Sequence, residues 1–346
     1  MSLRIAVVGT GYWGRNHVRT LAALRSEGII DELVVCDLDE QRARDMAGEF
    51  DCVWHTDALT LFAEHRIDAA TIATPTPQHA SLGKSLMQQG VDVLVEKPLA
   101  MNEAEARSLV QTARDEGRLL MVGHLFRHHA AIREARRIIE SGRLGSILHI
   151  ESERLSVREP RLDIGVIAAL AIHDLDICCD LLGEVEPDIV EAIASASTPS
   201  GIEDHATIHM RFPAGVAGNQ AGVDAHITVS WRSRVRGKVR ALRVIGRDAS
   251  LGIDYLDHAG LWLHDHPDDA HGPQWGGFDA APRERIELPL GEPSLTAELR
   301  CFVLACQGAW EGDLLSTGEV GIQGMRLVDR AMASVSTSKS PPNSLE

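Results

Sequence analysis

Glu96-Lys97-Pro98 stands directly after the apolar run Val91-Asp92-Val93-Leu94-Val95. The run reads as a buried strand, and a lysine at the carboxyl end of a strand stands where open α/β sheets bind their ligands. Pro98 has a fixed φ and favours an extended backbone at Lys97, which partly presets the aim of the amine. An amine held this way can accept or return a proton, although alone the tripeptide fits a surface lysine equally well. Its chemistry comes from Gly9-Thr10-Gly11-Tyr12-Trp13-Gly14, which fits G-x-G-x-x-G between an apolar run and a helical pattern. The first glycine permits a tight turn, the second lets a pyrophosphate approach the backbone, and the third lets strand and helix pack closely. Amides at the helix start, in the turn that holds Tyr12 and Trp13, then face the phosphates. Asp37 ends the next strand, 23 residues after Gly14. A carboxylate there can accept both hydroxyls of an adenosine ribose and repels a 2′-phosphate, so NAD is expected rather than NADP. Together these residues predict hydride transfer with an acid–base lysine beside the nicotinamide.

The elements that must position them follow a regular rhythm. Strands are expected at Leu3 to Val8, Glu32 to Cys36, Cys52 to Trp54, Ala69 to Ala73, Val91 to Val95 and Leu119 to Val122. Helical spacing lies between most of them, at Tyr12 to Glu27, Gln41 to Phe50, Gln78 to Gln89 and Glu103 to Glu116. Short strands alternating with helices predict parallel βαβ units and a doubly wound sheet, a Rossmann domain over residues 1–123. The rhythm then changes. Helices are expected at Ala131 to Ser141, Gly165 to Leu182, Thr296 to Trp310 and Gly318 to Ser334. Strands at Ile147 to Leu155, Ile189 to Ala194, Asp204 to Phe212, Ala225 to Trp231 and Lys238 to Ile245 have little helix between most of them. This predicts a second α/β domain over 124–334 with a large, mostly antiparallel open sheet. His264 to Pro282 reads as a long surface loop, and residues 335–346 as a disordered tail.

Composition narrows the partners. The chain has 346 residues, of which 34 are basic and 50 acidic, for a formal charge of -16. That balance opposes nucleic acid or an anionic membrane as the main partner and leaves a small molecule. Met1-Ser2-Leu3-Arg4 shows no apolar leader, and no apolar stretch approaches the roughly 20 residues of a spanning helix. Six cysteines without metal-type spacing fit reduced thiols, so a cytoplasmic protein is expected. His264, His266 and His271 lie among aspartates, but their irregular spacing predicts no metal site.

The glycine fingerprint, the Asp37 strand end, Ala73-Thr74-Pro75-Thr76-Pro77-Gln78-His79, Glu96-Lys97-Pro98 and Ile172-His173-Asp174-Leu175-Asp176 occur in that order. The set resembles the Gfo/Idh/MocA oxidoreductases from Leu3 to about Ser334. The resemblance implies that Lys97 lies near the nicotinamide and the reacting carbinol, with Glu96 holding the structure around it. It implies that His173, on a long helix of the second domain, is an acid–base residue, and that the turn with Thr74, Pro75 and His79 flanks the cofactor. It also implies a homodimer or homotetramer, with the open sheet making the contacts. Asp163-Ile164-Gly165-Val166-Ile167, Leu170-Ala171-Ile172-His173-Asp174 and Val122-Gly123-His124 with Arg127 are similar to a subgroup, the sugar-nucleotide 3-dehydrogenases of the UDP-N-acetylglucosamine type. These oxidise a sugar ring hydroxyl to a ketone.

Two positions depart from the family pattern. Relatives carry an aspartate four residues before the histidine, where this chain has Ala169, and a phenylalanine-asparagine-proline string where it has His128-His129-Ala130. With Ala169 present, Lys97 is expected to do more of the proton transfer. Arg154, Arg158 and Arg161 could clamp a diphosphate, since guanidinium matches phosphate in a bidentate way. A solvated basic stretch is the equal alternative. A sugar nucleotide leads as substrate, with a sugar phosphate or an inositol-type polyol behind it. A dinucleotide-binding sensor without turnover is the remaining alternative.

Overall fold

The computed structural model describes residues 3–161, 163–235, 237–265, 283–289 and 291–337. Along the chain run β1 (Arg4–Val8), α1 (Tyr12–Ser26), β2 (Glu32–Cys36), α2 (Glu40–Phe50), β3 (Val53–His55), α3 (Ala58–Glu64), β4 (Ala69–Ile72), α4 (His79–Met87), β5 (Asp92–Val95), α5 (Glu103–Asp115) and β6 (Leu120–Val122). Then come α6 (Ala130–Glu140), β7 (Ile147–Leu155), α7 (Ile172–Leu181), β8 (Ile189–Ser195), β9 (His205–Arg211), β10 (Asp224–Ser230), β11 (Val239–Gly246), β12 (Ala249–Asp254), β13 (Gly260–Asp265), β14 (Arg283–Glu287), α8 (Ser294–Cys306), α9 (Gly318–Ser334) and β15 (Ser336–Thr337).

The chain forms two compact units. The first comprises Met1–His129 and Glu292–Arg326, the second Ala130–Gly291 and Leu327–Glu346. In the first unit β1 to β6 form one parallel sheet in the order β3-β2-β1-β4-β5-β6. This is the dinucleotide-binding order, which reverses between β1 and β4 and leaves a crevice beyond the ends of those strands. Near-continuous apolar strands suit a sheet covered on both faces. Ile5, Val7, Leu33 and Val35 share one core cluster with Val18, Leu21 and Leu24 of α1. Leu299, Phe302 and Val303 of α8 belong to the same cluster, so a late segment completes the core of an early one.

The second unit holds a nine-stranded sheet, β14-β13-β12-β11-β7-β10-β9-β8-β15. All its pairings are antiparallel except β10 with β7 and β15 with β8. Alternation in β9 and β10 buries Ala206, Ile208 and Met210 beside Ala225, Ile227 and Val229. All ten residues of α7 are buried, as expected of a helix packed on every side.

The structure differs from the sequence expectation in several places: α3 has no counterpart in it, and α8, expected in a second domain over 124–334, belongs to the first unit because its apolar face packs into that core. Strands β12, β13 and β14 extend the second sheet beyond Ile245. His264 and Asp265 end β13 instead of opening a loop, because they pair with Ser250 and Ala249 of β12. The helix expected over Gly165 to Leu182 is a π-helical turn, Ile167–Ala171, leading into α7. Ser336 and Thr337 pair in parallel with Ile193 and Ala194. His266, His271 and residues 338–346 lie outside the described residues. Among those described, no helix is long and apolar enough to cross a membrane, and no group of three His, Cys, Asp or Glu side chains could hold a metal ion. All six cysteines are free thiols.

Candidate active site

The glycine turn between β1 and α1 is built by close packing. Gly9 has φ of +88°, and a Cβ there would lie 2.8 Å from the Ala73 and Thr74 backbone. A Cβ on Gly14 would lie 1.7 Å from the Gly9 carbonyl oxygen, so strand and helix meet only because this residue is glycine. Gly11 has nothing within 4 Å of that position, so its backbone is open to a close-approaching group. Tyr12 is exposed and meets the Trp13 ring edge-on, 5.6 Å between centroids. Thr74 and Pro75 follow β4 on the other side of the reversal point, and the buried Thr74 Oγ1 has no hydrogen-bond partner.

Asp37 ends β2 and is 8% exposed. Its Oδ2 accepts from the Thr10 amide (2.7 Å) and hydroxyl (2.9 Å), and its Oδ1 from the Asp39 amide (2.9 Å). The Arg42 guanidinium lies 3.3 Å away. Burial raises the carboxyl pKa, but these donors and the Arg42 charge outweigh it and hold Asp37 below its ordinary value. Oδ2 is fully occupied, but Oδ1 takes a single donor and keeps one lone pair for a ribose hydroxyl. Open Gly11, the orphaned Thr74 hydroxyl and an ionised Asp37 together fit a bound dinucleotide.

Beyond β5 the Lys97-Pro98 peptide is cis. Lys97 is 9% exposed and Glu96 is 4% exposed. Glu96 Oε1 accepts from His17 Nε2 on α1 at 2.9 Å, and Oε2 from the Lys97 amide at 3.2 Å. A Cβ on Gly123 would lie 3.2 Å from Glu96, so this glycine makes room for the carboxylate. Burial pushes the Glu96 carboxyl up, but the His17 bond and charge, then Lys97 and His79, bring it below its ordinary value. His79 opens α4 with Nδ1 2.8 Å from the Pro98 carbonyl oxygen and Nε2 2.9 Å from that of Thr74. It thereby joins the turn after β4 to the lysine loop. Glu298 on α8 is fully buried, with neither carboxylate oxygen hydrogen-bonded. Burial, then the charge of Glu96, keeps it protonated well above the usual glutamate range.

Arg127 is buried in the turn Leu125–His128 and donates to the Leu315 carbonyl at 3.1 Å. His128 Nε2 lies 3.4 Å from Ser316 Oγ.

In the second unit, α7 places His173 beside Asp174, and both are buried. Asp174 is anchored to the sheet, accepting from Ser152 Oγ (2.7 Å) and Arg154 Nε (2.6 Å). Arg154 is 2% exposed and also lies over the Tyr255 ring. It is therefore committed to the interior, not presented as one arm of a clamp. Arg161 pairs with Asp163. Arg158 is exposed and lies 5.2 Å over Trp231. Arg240 faces Arg154 across the β7–β11 ladder. Burial, then the charge of Arg154, pushes the Arg240 pKa down to about 10; Arg158 adds to the fall and Asp174 opposes it. Ala169 is buried within the π turn.

Sequence reading missed His17, Glu298 and Arg240. His17 had a local signal, since it shares a helix face with Gly14, Val18 and Leu21 three residues beyond the fingerprint. Glu298 and Arg240 had none, because their neighbours come from distant segments.

Residues 3–124 match the model of an oxidoreductase family with an NAD-binding Rossmann fold, and residues 132–252 match the GFO/IDH/MocA C-terminal domain. The chain is 34% identical over 259 residues to UDP-N-acetylglucosamine 3-dehydrogenase of Acidithiobacillus ferrooxidans, covering 74% of this chain and 75% of that protein. It is 27% identical to inositol 2-dehydrogenase 2 of Saccharopolyspora erythraea, over 99% of this chain and 96% of that one. The solved structure of the Acidithiobacillus ferrooxidans enzyme superposes with a TM-score of 0.78 at 29% identity, covering 97% of this chain and 98% of that one.

Proposed function

The chain belongs to the Gfo/Idh/MocA family of NAD-dependent oxidoreductases, and on that premise we propose that it oxidises a ring carbinol of a sugar, C3 of a nucleotide-linked sugar. The observation behind this reading is the lysine loop, tied through His79 to the turn beside the open glycine cradle. NAD, when bound, supplies the hydride acceptor. Gly9, Gly11, Gly14, Thr74 and Pro75 hold its phosphate and nicotinamide portions, and Asp37 its ribose.

As the hydride leaves, the hydroxyl proton must go to a base within hydrogen-bond reach, an effect of about 10²–10⁴-fold. Lys97 is that base. Glu96 holds the loop through its bond to His17 and does not itself react. His173 keeps the acid–base part that the family resemblance gives it, with α7 fixed by the Asp174 anchor. Because Ala169 stands where relatives have an aspartate, the greater share of proton transfer falls to Lys97.

A nucleotide-linked substrate is supported by the relative that is 34% identical and by the arginines of the second unit. With Arg154 bonded to Asp174, any diphosphate contact falls to Arg158 and Arg240. The inositol dehydrogenase relative supports a polyol as the second reading. We place the enzyme in the cytoplasm, as its free thiols suit, and as a self-associating protein whose second sheet exposes Ile193.

The test follows NADH formation from NAD⁺ with UDP-sugars, sugar phosphates and inositols. Turnover of a UDP-sugar, lowered about 10²–10⁴-fold by Lys97→Ala, is expected. Turnover of inositols alone would overturn the nucleotide reading, and a Lys97→Ala enzyme of full activity would overturn the base. Arg158→Ala should raise KM for the UDP-sugar about tenfold, the loss of one charged hydrogen bond, and leave KM for a free sugar unchanged.

A further inference from the structure

His79 is 1% exposed, and both its ring nitrogens lie within hydrogen-bond distance of backbone carbonyl oxygens, those of Pro98 and Thr74. A carbonyl oxygen only accepts, so each nitrogen must bring a proton. A neutral imidazole has one N–H and can satisfy only one of the two oxygens; the imidazolium has two. A neutral ring here would turn a lone pair towards a carbonyl lone pair, with no solvent to relieve it. A buried cation in turn needs a counter-charge. Glu96 supplies it.

We propose that His79 is held as an imidazolium that bonds both carbonyls and balances the charge of Glu96, a positioning residue that lets Lys97 work as a neutral base. The inference rests on the assignment of Lys97 as the base. Were His79 neutral, the buried Glu96 carboxylate would be balanced best by an ammonium at Lys97, the form that cannot accept a proton. With His79 charged, Glu96 is already balanced, and the imidazolium disfavours a second cation nearby.

The other groups around His79 do not duplicate this role. His17 lies against Glu96 through Nε2 at 2.9 Å, but its buried Nδ1 has no hydrogen-bond partner, so its geometry calls for one proton where that of His79 calls for two; Glu298 stays protonated. On α4 itself, Lys84 donates to Ser108 Oγ at 2.8 Å. Of the elements packed against α4, β4 has no titratable residue, α3 has Glu64 as its last residue, and β5 has Asp92, which accepts from the Leu119 amide at 2.8 Å. On α5, Arg107, Arg114 and Asp115 are exposed, while Glu103 and Glu105 are half-buried. Glu103 takes hydrogen bonds from Arg107 and Arg326, and Glu105 accepts from the Met101 amide.

Nitrogen-detected NMR of histidine-labelled full-length protein tests the charge directly, without substrate. The His79 signals are assigned by their loss in His79→Gln, or by contacts to Thr74 if that variant does not fold. Two protonated ring nitrogens at about pH 8, above the ordinary histidine range, are expected. One bare nitrogen there would overturn the proposal whatever Lys97 does. The kinetic test is the pH profile of kcat/KM. Its acid limb reports loss of the proton from the base, so removing a neighbouring cation should move it upward, by about one pH unit in His79→Gln. An equal loss at every pH, with the limb unmoved, would leave His79 merely structural and overturn the positioning role. Absence of turnover with any sugar, beside two protonated His79 nitrogens, would fault the proposed function and not the imidazolium.

Discussion

Glu298 presents the sharpest cost at the scale of one residue. It is sealed from water with neither oxygen bonded, and burial followed by the Glu96 charge raises its pKa. The unfolded chain releases this proton near the ordinary value of about 4.3, whereas the folded chain keeps it. Stability is therefore full below that value and falls as pH rises above it. Glu298→Met, similar in volume and apolar, should stabilise the protein by about 1–3 kcal/mol at neutral pH, the cost of an unmade buried hydrogen bond. Thermal melts should show a Tm gain of several degrees at neutral pH that shrinks in acid. A loss of Tm, or a gain independent of pH, would refute the account. The same residue marks the limit of sequence reading at this site. Gly9 to Gly14 and Glu96 to Pro98 were legible because each motif is contiguous and borders a strand. The Glu96–His17 bond and the Glu298 pocket depend on α1 and α8 lying in one core, which local spacing does not encode.

At the scale of elements, α7 shows how a buried helix is held. Its three acids, Asp174, Asp176 and Asp180, lie in the interior. Asp174 takes bonds from Ser152 and Arg154, and Asp180 takes one from Arg136 of α6 at 2.7 Å. The helix carrying His173 is thus docked by directed polar bonds, which fix its rotation more firmly than apolar packing alone. Asp174→Asn removes the carboxylate that Arg154 bonds and should cost about 3–5 kcal/mol, as when one partner of a buried pair is lost. A Tm within about one degree of the parent protein would show that the pair does not anchor α7. Periodicity indicated a helix here but not the π turn before it, since i→i+5 bonding leaves little trace in a run such as Ile167-Ala168-Ala169-Leu170-Ala171. Strands β12 and β13 were missed for a related reason. They are short and separated by the five-residue turn Tyr255 to Ala259, and their strand character comes from pairing with β11 and with each other.

For the whole molecule, the chain leaves the first unit after His129 and returns to it at Glu292. Leu299, Phe302 and Val303 of the returning α8 share a core with Leu21 and Leu24 of α1. A chain ended after residue 291 should therefore lose the cooperative melt of the first unit and its affinity for NAD, as differential scanning fluorimetry with added NAD would show. An unchanged melt and NAD response would mean that α8 is dispensable. The order of synthesis gives the same feature a meaning in time. At about 5–20 residues per second, α8 leaves the ribosome some tens of seconds, at the slower rates, after residue 129. Throughout that interval the α1 core lacks the Leu299, Phe302 and Val303 side chains that later complete it, which makes this an aggregation-exposed stage of synthesis.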